Sequence, residues 1–207
     1  MIIGIDFDNT IVNYLGVFHE VAVSLNWISD NVAPGKSAVK QCLVNSGQGE
    51  RWTALQGIVY GNEIHRATLY PSCKETLEHW LKLGYRLCIV SHKTRYPVVG
   101  EQTNLQDAAT RWLHEQKIIG QGVGLISPED VYYGETLDAK LGYIRELKCD
   151  VFIDDLLSVF EHESFPSETR RILFQPEGDG DGVANVRRGA LAYDVLRSWG
   201  DAGSLIK

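Results

Sequence analysis

Apolar residues recur along this chain in two patterns. Short runs at residues 2–5, 86–90, 151–153 and 171–174, the second and fourth opened by an arginine, have the length and β-branched content of strands buried on both faces. Residues 131–133 suggest a further short strand. Elsewhere the apolar positions fall three and four apart, which is helical spacing. Val17, Phe18, Val21, Leu25 and Ile28 share one helical face; Ala38, Cys42 and Leu43 make a second, shorter stretch. Trp52, Leu55, Ile58 and Val59 make a third, closed by Gly61. Pro34-Gly35 and the Ser/Gly-rich residues 46–49 are the breaks between them.

Further along, Pro71 opens a helix that runs to residue 83, with Gly84 placed to cap it. Residues 104–116 predict another helix, with Ala108, Trp112 and Leu113 on its inner side, and residues 137–147 one more. Residues 191–199 suggest a closing helix, and the Gly/Asp-rich residues 177–182 a loop. Strands that alternate with helices imply right-handed crossovers and a parallel sheet covered on both faces. The expected fold is therefore α/β, a Rossmann-like three-layer α/β/α arrangement. Residues 14–70 have no strand to contribute and read as a small helical insertion after the first strand, leaving 1–13 and 71–207 as the core.

Composition adds mainly exclusions. The 207 residues suffice for one sizeable core, and 44% hydrophobic with 23% charged residues is ordinary globular usage. The net charge is −7 and no basic block appears, which argues against nucleic acid or an anionic membrane as partner. No secretory signal or membrane-length apolar segment is visible. Cys42, Cys73, Cys88 and Cys149 lie far apart, as expected of free thiols in a reducing, cytoplasmic setting. The sequence carries no signal of oligomeric state.

The candidate chemistry sits where the strands end. Three apolar runs terminate in polar residues: Asp6 with Asp8, Ser91 with Lys93, and Asp154 with Asp155. In an open parallel sheet, ligands bind outside the carboxyl ends of the strands, so these groups would converge on one edge. Carboxylates gathered there repel unless a divalent cation with hard oxygen ligands, Mg²⁺ for preference, joins them. Taken alone, Asp-x-Asp also suits a turn or helix cap. His92 and Lys93 would lie at the mouth of such a site, where Lys93 is either a phosphate contact or a surface lysine. The remaining histidines lack metal-ligand spacing, and Trp52 and Tyr60 read as packing of the insertion.

The sequence resembles the haloacid dehalogenase (HAD) superfamily over about residues 1 to 160. The resemblance is carried by Asp6-Phe7-Asp8-Asn9-Thr10 after the first strand, Ser91 after the second, Lys140 on a helix and Asp154-Asp155 after the third. It implies Asp6 as nucleophile and Asp8 as general acid and base. Mg²⁺ would be held by Asp6, the Asp8 backbone carbonyl and Asp154, with Asp155 supporting that shell or binding through water. Ser91, His92 and Lys140 would contact the substrate phosphate, with Lys148 the competing lysine. The family often has another Asp four residues after Asp154; here that position is Ser158.

Carbon dehalogenation needs no second Asp, so Asp8 points to phosphorus. The resemblance thus implies a Mg²⁺-dependent phosphatase acting on a small phosphorylated metabolite, a nucleotide or sugar phosphate, with residues 14–70 as its cap. Pro71, Asp154-Asp155 and Ile172-Leu-Phe174 add a weaker similarity to the 5′(3′)-deoxyribonucleotidase branch. A phosphomutase and a non-catalytic HAD-like binding module are the alternatives.

Overall fold

The computed structural model describes residues 1–122, 124–176 and 191–206, together with the backbone of 183–188. The Gly/Asp-rich residues 177–182, expected as a loop, lie outside the described residues. The elements in chain order are β1 (Ile2–Ile5), β2 (Val12–Asn13), α1 (Val17–Ser24), α2 (Lys36–Asn45), α3 (Gly49–Tyr60), β3 (Thr68–Leu69), α4 (Cys73–Lys82), β4 (Arg86–His92) and α5 (Leu105–Glu115). They continue with β5 (Val131–Gly134), α6 (Leu137–Glu146), β6 (Val151–Asp154), α7 (Leu157–Glu161), β7 (Arg170–Phe174), β8 (Val183–Arg188), β9 (Leu191–Leu196) and α8 (Ala202–Leu205).

The chain divides into two compact units. One comprises Met1–Val12, Leu69–Lys93 and Gln116–Lys207; the other comprises Asn13–Thr68 and Thr94–Glu115. The second unit thus contains residues 94–115 as well as most of the insertion, although the expected bounds place the helix of residues 104–116 in the core of 71–207.

In the first unit, seven strands form a sheet in the order β5-β4-β1-β6-β7-β9-β8. Six are mutually parallel, and β8 joins β9 antiparallel at the edge. Helices cover both faces. On one, Leu141 and Ile144 of α6 and Val159 and Phe160 of α7 pack with Cys88, Val90, Phe152, Leu173 and Val195 of the strands. On the other, Trp80 of α4 lies 5.9 Å from Trp199, which also meets Phe174 at 5.8 Å. Central strands buried on both faces explain the apolar runs: Ile3, Ile5, Ile153 and Ile172 are all fully excluded from water.

The second unit is built on α1, α2, α3 and α5. Phe18 stacks on Trp52 at 5.4 Å and meets Tyr60 edge-on at 5.6 Å. The Trp112 indole donates to the Ala67 carbonyl at 3.2 Å, tying α5 into this unit. Trp52 and Tyr60 therefore pack within this unit, the role expected of them as residues of the insertion.

The expected closing helix also fails. The closing helix predicted over residues 191–199 is instead strand β9, paired in parallel with β7, followed by a single 3₁₀ turn at Trp199–Asp201. A short apolar run cannot be assigned by spacing alone. Asp194 is buried in the strand and takes two hydrogen bonds from Arg170, at 2.8 and 2.6 Å. No helix among the described residues is long and apolar enough to cross a membrane.

Candidate active site

β1, β4, β5 and β6 are adjacent and parallel, so their carboxyl ends share one edge. Asp6 follows β1 there, and its N–H still donates to the Ile153 carbonyl at 2.9 Å, which locks its backbone to β6. The chain then turns sharply: Ile11 and Val12 both donate to the Phe7 carbonyl at 3.1 Å. Asn9 sits in the left-handed region at φ 58°, a conformation that asparagine tolerates better than most side chains. The turn is pinned from below, where the Trp199 indole donates to the Thr10 carbonyl at 2.9 Å and Thr76 donates to the Trp199 carbonyl at 2.7 Å.

Lys140 joins two of the strand ends. It lies in the second turn of α6, whose first turn is capped by the Thr136 hydroxyl accepting from Ala139 N–H at 3.1 Å. Its Nζ is 2.6 Å from Asp6 Oδ1 and 2.6 Å from Asp154 Oδ2, and all three side chains are buried. Lys148 is exposed in the turn after α6. Asp6 Oδ2 accepts from Thr10 at 3.4 Å, and Asp154 Oδ1 accepts from Leu156 N–H at 3.0 Å.

Two buried carboxylates sharing one ammonium leave excess negative charge in a low dielectric. Burial pushes the Asp6 carboxyl well above the usual carboxylate range; Asp154 and Asp155 add to the effect, and Lys140 opposes it. Burial alone would lower the Lys140 ammonium, but Asp154 and Asp6 more than offset it, so the group is pushed up and stays charged.

The same carboxylates suit a hard cation. One oxygen from each of Asp6, Asp154 and Asp155 lies within 4.8 Å of the others, on two adjacent strands. Oxygen-only donors with surplus negative charge fit Mg²⁺.

At the end of β4 and just past it, alternation decides which side chains turn inward. Ser91 and Lys93 are buried while His92 between them is exposed, so the structure does not bring His92 in with the others. Lys93, weighed as a surface residue, pairs with Asp8 Oδ2 at 2.8 Å and lies 5.3 Å from the Phe7 ring centroid. Residue i+2 from a buried Ser91 was the signal that could have placed it. The anchor Trp199 had no comparable signal. Ser91 Oγ is buried and makes no hydrogen bond among the described residues, a costly state for a hydroxyl and one that a ligand oxygen would relieve.

No family model and no curated protein matches this chain. Solved structures do. A phosphoserine phosphohydrolase-like protein from Francisella tularensis is 14% identical with a TM-score of 0.56, covering 99% of each chain. A HAD-superfamily hydrolase of subfamily IA from Geobacter sulfurreducens is 9% identical with a TM-score of 0.56, covering 100% of this chain and 96% of the other. A predicted phosphoglycolate phosphatase from Haemophilus somnus is 15% identical with a TM-score of 0.55, covering 100% and 97%.

Proposed function

We propose that this chain, which has the α/β fold of the HAD-superfamily hydrolases, is a Mg²⁺-dependent phosphatase of small phosphomonoesters. One observation carries the reading: the Asp6, Asp154 and Asp155 carboxylates converge at the strand ends with the buried Lys140 ammonium set between two of them. Mg²⁺, held by Asp6, the Asp8 carbonyl and Asp154 with Asp155 in support, would supply charge neutralisation for the phosphoryl oxygens.

The chain's own residues perform the steps. An Asp6 oxygen attacks phosphorus and the bond to the ester oxygen breaks, while Asp8, in the protonated form that its ion pair with Lys93 opposes in the free chain, gives that oxygen its proton. The product at this stage is an aspartyl-phosphate on Asp6 and a free alcohol. Asp8, now a carboxylate, takes a proton from water as that water attacks the same phosphorus. The bond to Asp6 then breaks, releasing phosphate and restoring the carboxylate. Ser91 Oγ donates to a phosphoryl oxygen, and Lys140 offsets the charge that develops on the group in transfer.

Nucleotides and sugar phosphates are the substrate classes of choice, because both present a compact phosphomonoester. The test is a panel of nucleotides, sugar phosphates, small phospho-acids and p-nitrophenyl phosphate with Mg²⁺, comparing wild type with Asp6→Asn. Turnover by wild type and its loss in Asp6→Asn are expected. A wild type as inert as the variant on every substrate would favour a non-catalytic binding module.

A further inference from the structure

One residue that bears no side chain touches the backbone of both Lys93 and Lys140. Gly134 ends β5, beside β4. Its carbonyl accepts the Lys93 N–H at 2.9 Å, extending the β4–β5 ladder to the residue whose Nζ reaches Asp8. The backbone of α6 also crosses close to Gly134. A Cβ at this position would lie 2.6 Å from the Lys140 nitrogen and 3.1 Å from both the Ala139 carbonyl carbon and the Lys140 Cα. These are main-chain atoms of a formed helix, with Lys140 N–H already donating to the Thr136 carbonyl at 3.1 Å, so they cannot swing aside as a side chain would. Conformation does not demand glycine here, since Gly134 is not among the residues of positive φ. The demand is for space.

We propose that Gly134 is a positioning residue for the phosphoryl-transfer site. Its missing side chain sets how closely α6 approaches β5, which delivers Lys140 Nζ to Asp6 and Asp154. Its carbonyl fixes the strand end that aims Lys93 at Asp8. Any larger residue displaces helix from strand and withdraws Lys140 from one or both carboxylates. The kinetic consequence rests on the phosphatase reading; the geometric one does not.

Gly142 provides the control. It lies in the same helix, and a Cβ there meets nothing within 4 Å. Replacing a helix-interior glycine by alanine favours the helix, so Gly142→Ala should raise the melting temperature and leave turnover unchanged. The experiment uses wild type, Gly134→Ala, Gly142→Ala and the double variant, with p-nitrophenyl phosphate and Mg²⁺. In the double variant the melting temperature recovers toward wild type, while kcat stays down by roughly 10²-fold, the scale of a misplacement of about 1 Å, with KM moved far less. Recovery of kcat together with stability would mean that Gly134 acts on folding alone and would overturn the proposal.

A crystal structure of Gly134→Ala, or of the double variant if the single one does not fold, gives a readout independent of activity. Lys140 Nζ should have left hydrogen-bonding range of Asp6, Asp154 or both; retention of both contacts contradicts the proposal. Should wild type itself fail to turn over any phosphomonoester, the phosphatase reading falls, and this crystal structure still decides the positioning role.

Discussion

Lys93 Nζ lies 2.8 Å from Asp8 Oδ2, with 3% of the lysine side chain and 18% of the aspartate side chain exposed. An ion pair this sheltered fixes the direction of the carboxylate assigned to proton transfer. Lys93→Met removes the partner and leaves a charged carboxylate in a half-closed space. Breaking a buried pair costs about 3–5 kcal/mol, and the partial exposure of Asp8 puts the expected loss near the lower figure. Turnover should fall by roughly 10²-fold as Asp8 loses its fixed orientation. Denaturant titration checks the first effect and steady-state kinetics the second. Lys93→Met/Asp8→Asn should be less destabilised than Lys93→Met alone, because the stranded charge has gone.

Ser91 separates stability from activity in the opposite sense. Its hydroxyl is buried without a hydrogen-bond partner among the described residues, so Ser91→Ala should preserve stability or raise it by about 1 kcal/mol. If the hydroxyl donates to a phosphoryl oxygen, the same change lowers kcat by about 10²–10³-fold, the usual consequence of removing one such donor. Thermal melts and kinetics on one preparation measure both. A variant that is more stable and equally active would remove Ser91 from the site.

The crowded carboxylates predict a pH dependence of stability. Burial, with Asp154 and Asp155 adding and Lys140 opposing, raises the Asp6 carboxyl in the folded chain. The folded state therefore binds the proton more tightly than the unfolded state, and stability falls as pH rises from the unfolded value of about 3.9 toward the folded one. In EDTA, denaturation midpoints of wild type should decline across that rise, and those of Asp6→Asn should decline less. Mg²⁺ that binds only the folded carboxylates adds stability by mass action. Its addition at neutral pH should raise the midpoint of wild type and have little effect on Asp154→Asn. An Asp6→Asn profile as steep as wild type would show that Asp6 is not the group responsible.

Much of this was legible because the sheet is parallel and buried on both faces. Such strands appear as short apolar runs, and the polar residues that end them must lie at one edge. That logic located Asp6, Asp8, Ser91 and Asp154-Asp155 without knowledge of a single contact. It failed for β9, where Arg170 pairs with an aspartate inside a strand and so allows a polar residue at a core position. It also left Lys93 undecided, because a lysine is buried only when a partner is supplied, and that partner is 85 positions away in the chain. The roles of Gly134 and Trp199 depend on close approach between distant segments, which no local pattern encodes. Residues 94–115 carry an ordinary amphipathic helix; which unit it joins is decided by tertiary contacts such as that of Trp112 with Ala67.

The central claim is that Asp6 attacks phosphorus. The most direct measurement is acid quenching of wild type during turnover of p-nitrophenyl phosphate with Mg²⁺, followed by mass spectrometry of the peptide that spans residues 1–12. A phosphoryl group on Asp6 is expected, released by hydroxylamine as an acyl phosphate would be, and absent from Asp6→Asn. Turnover with that peptide unmodified at every quench time, or phosphoryl transfer to another residue, would contradict the account.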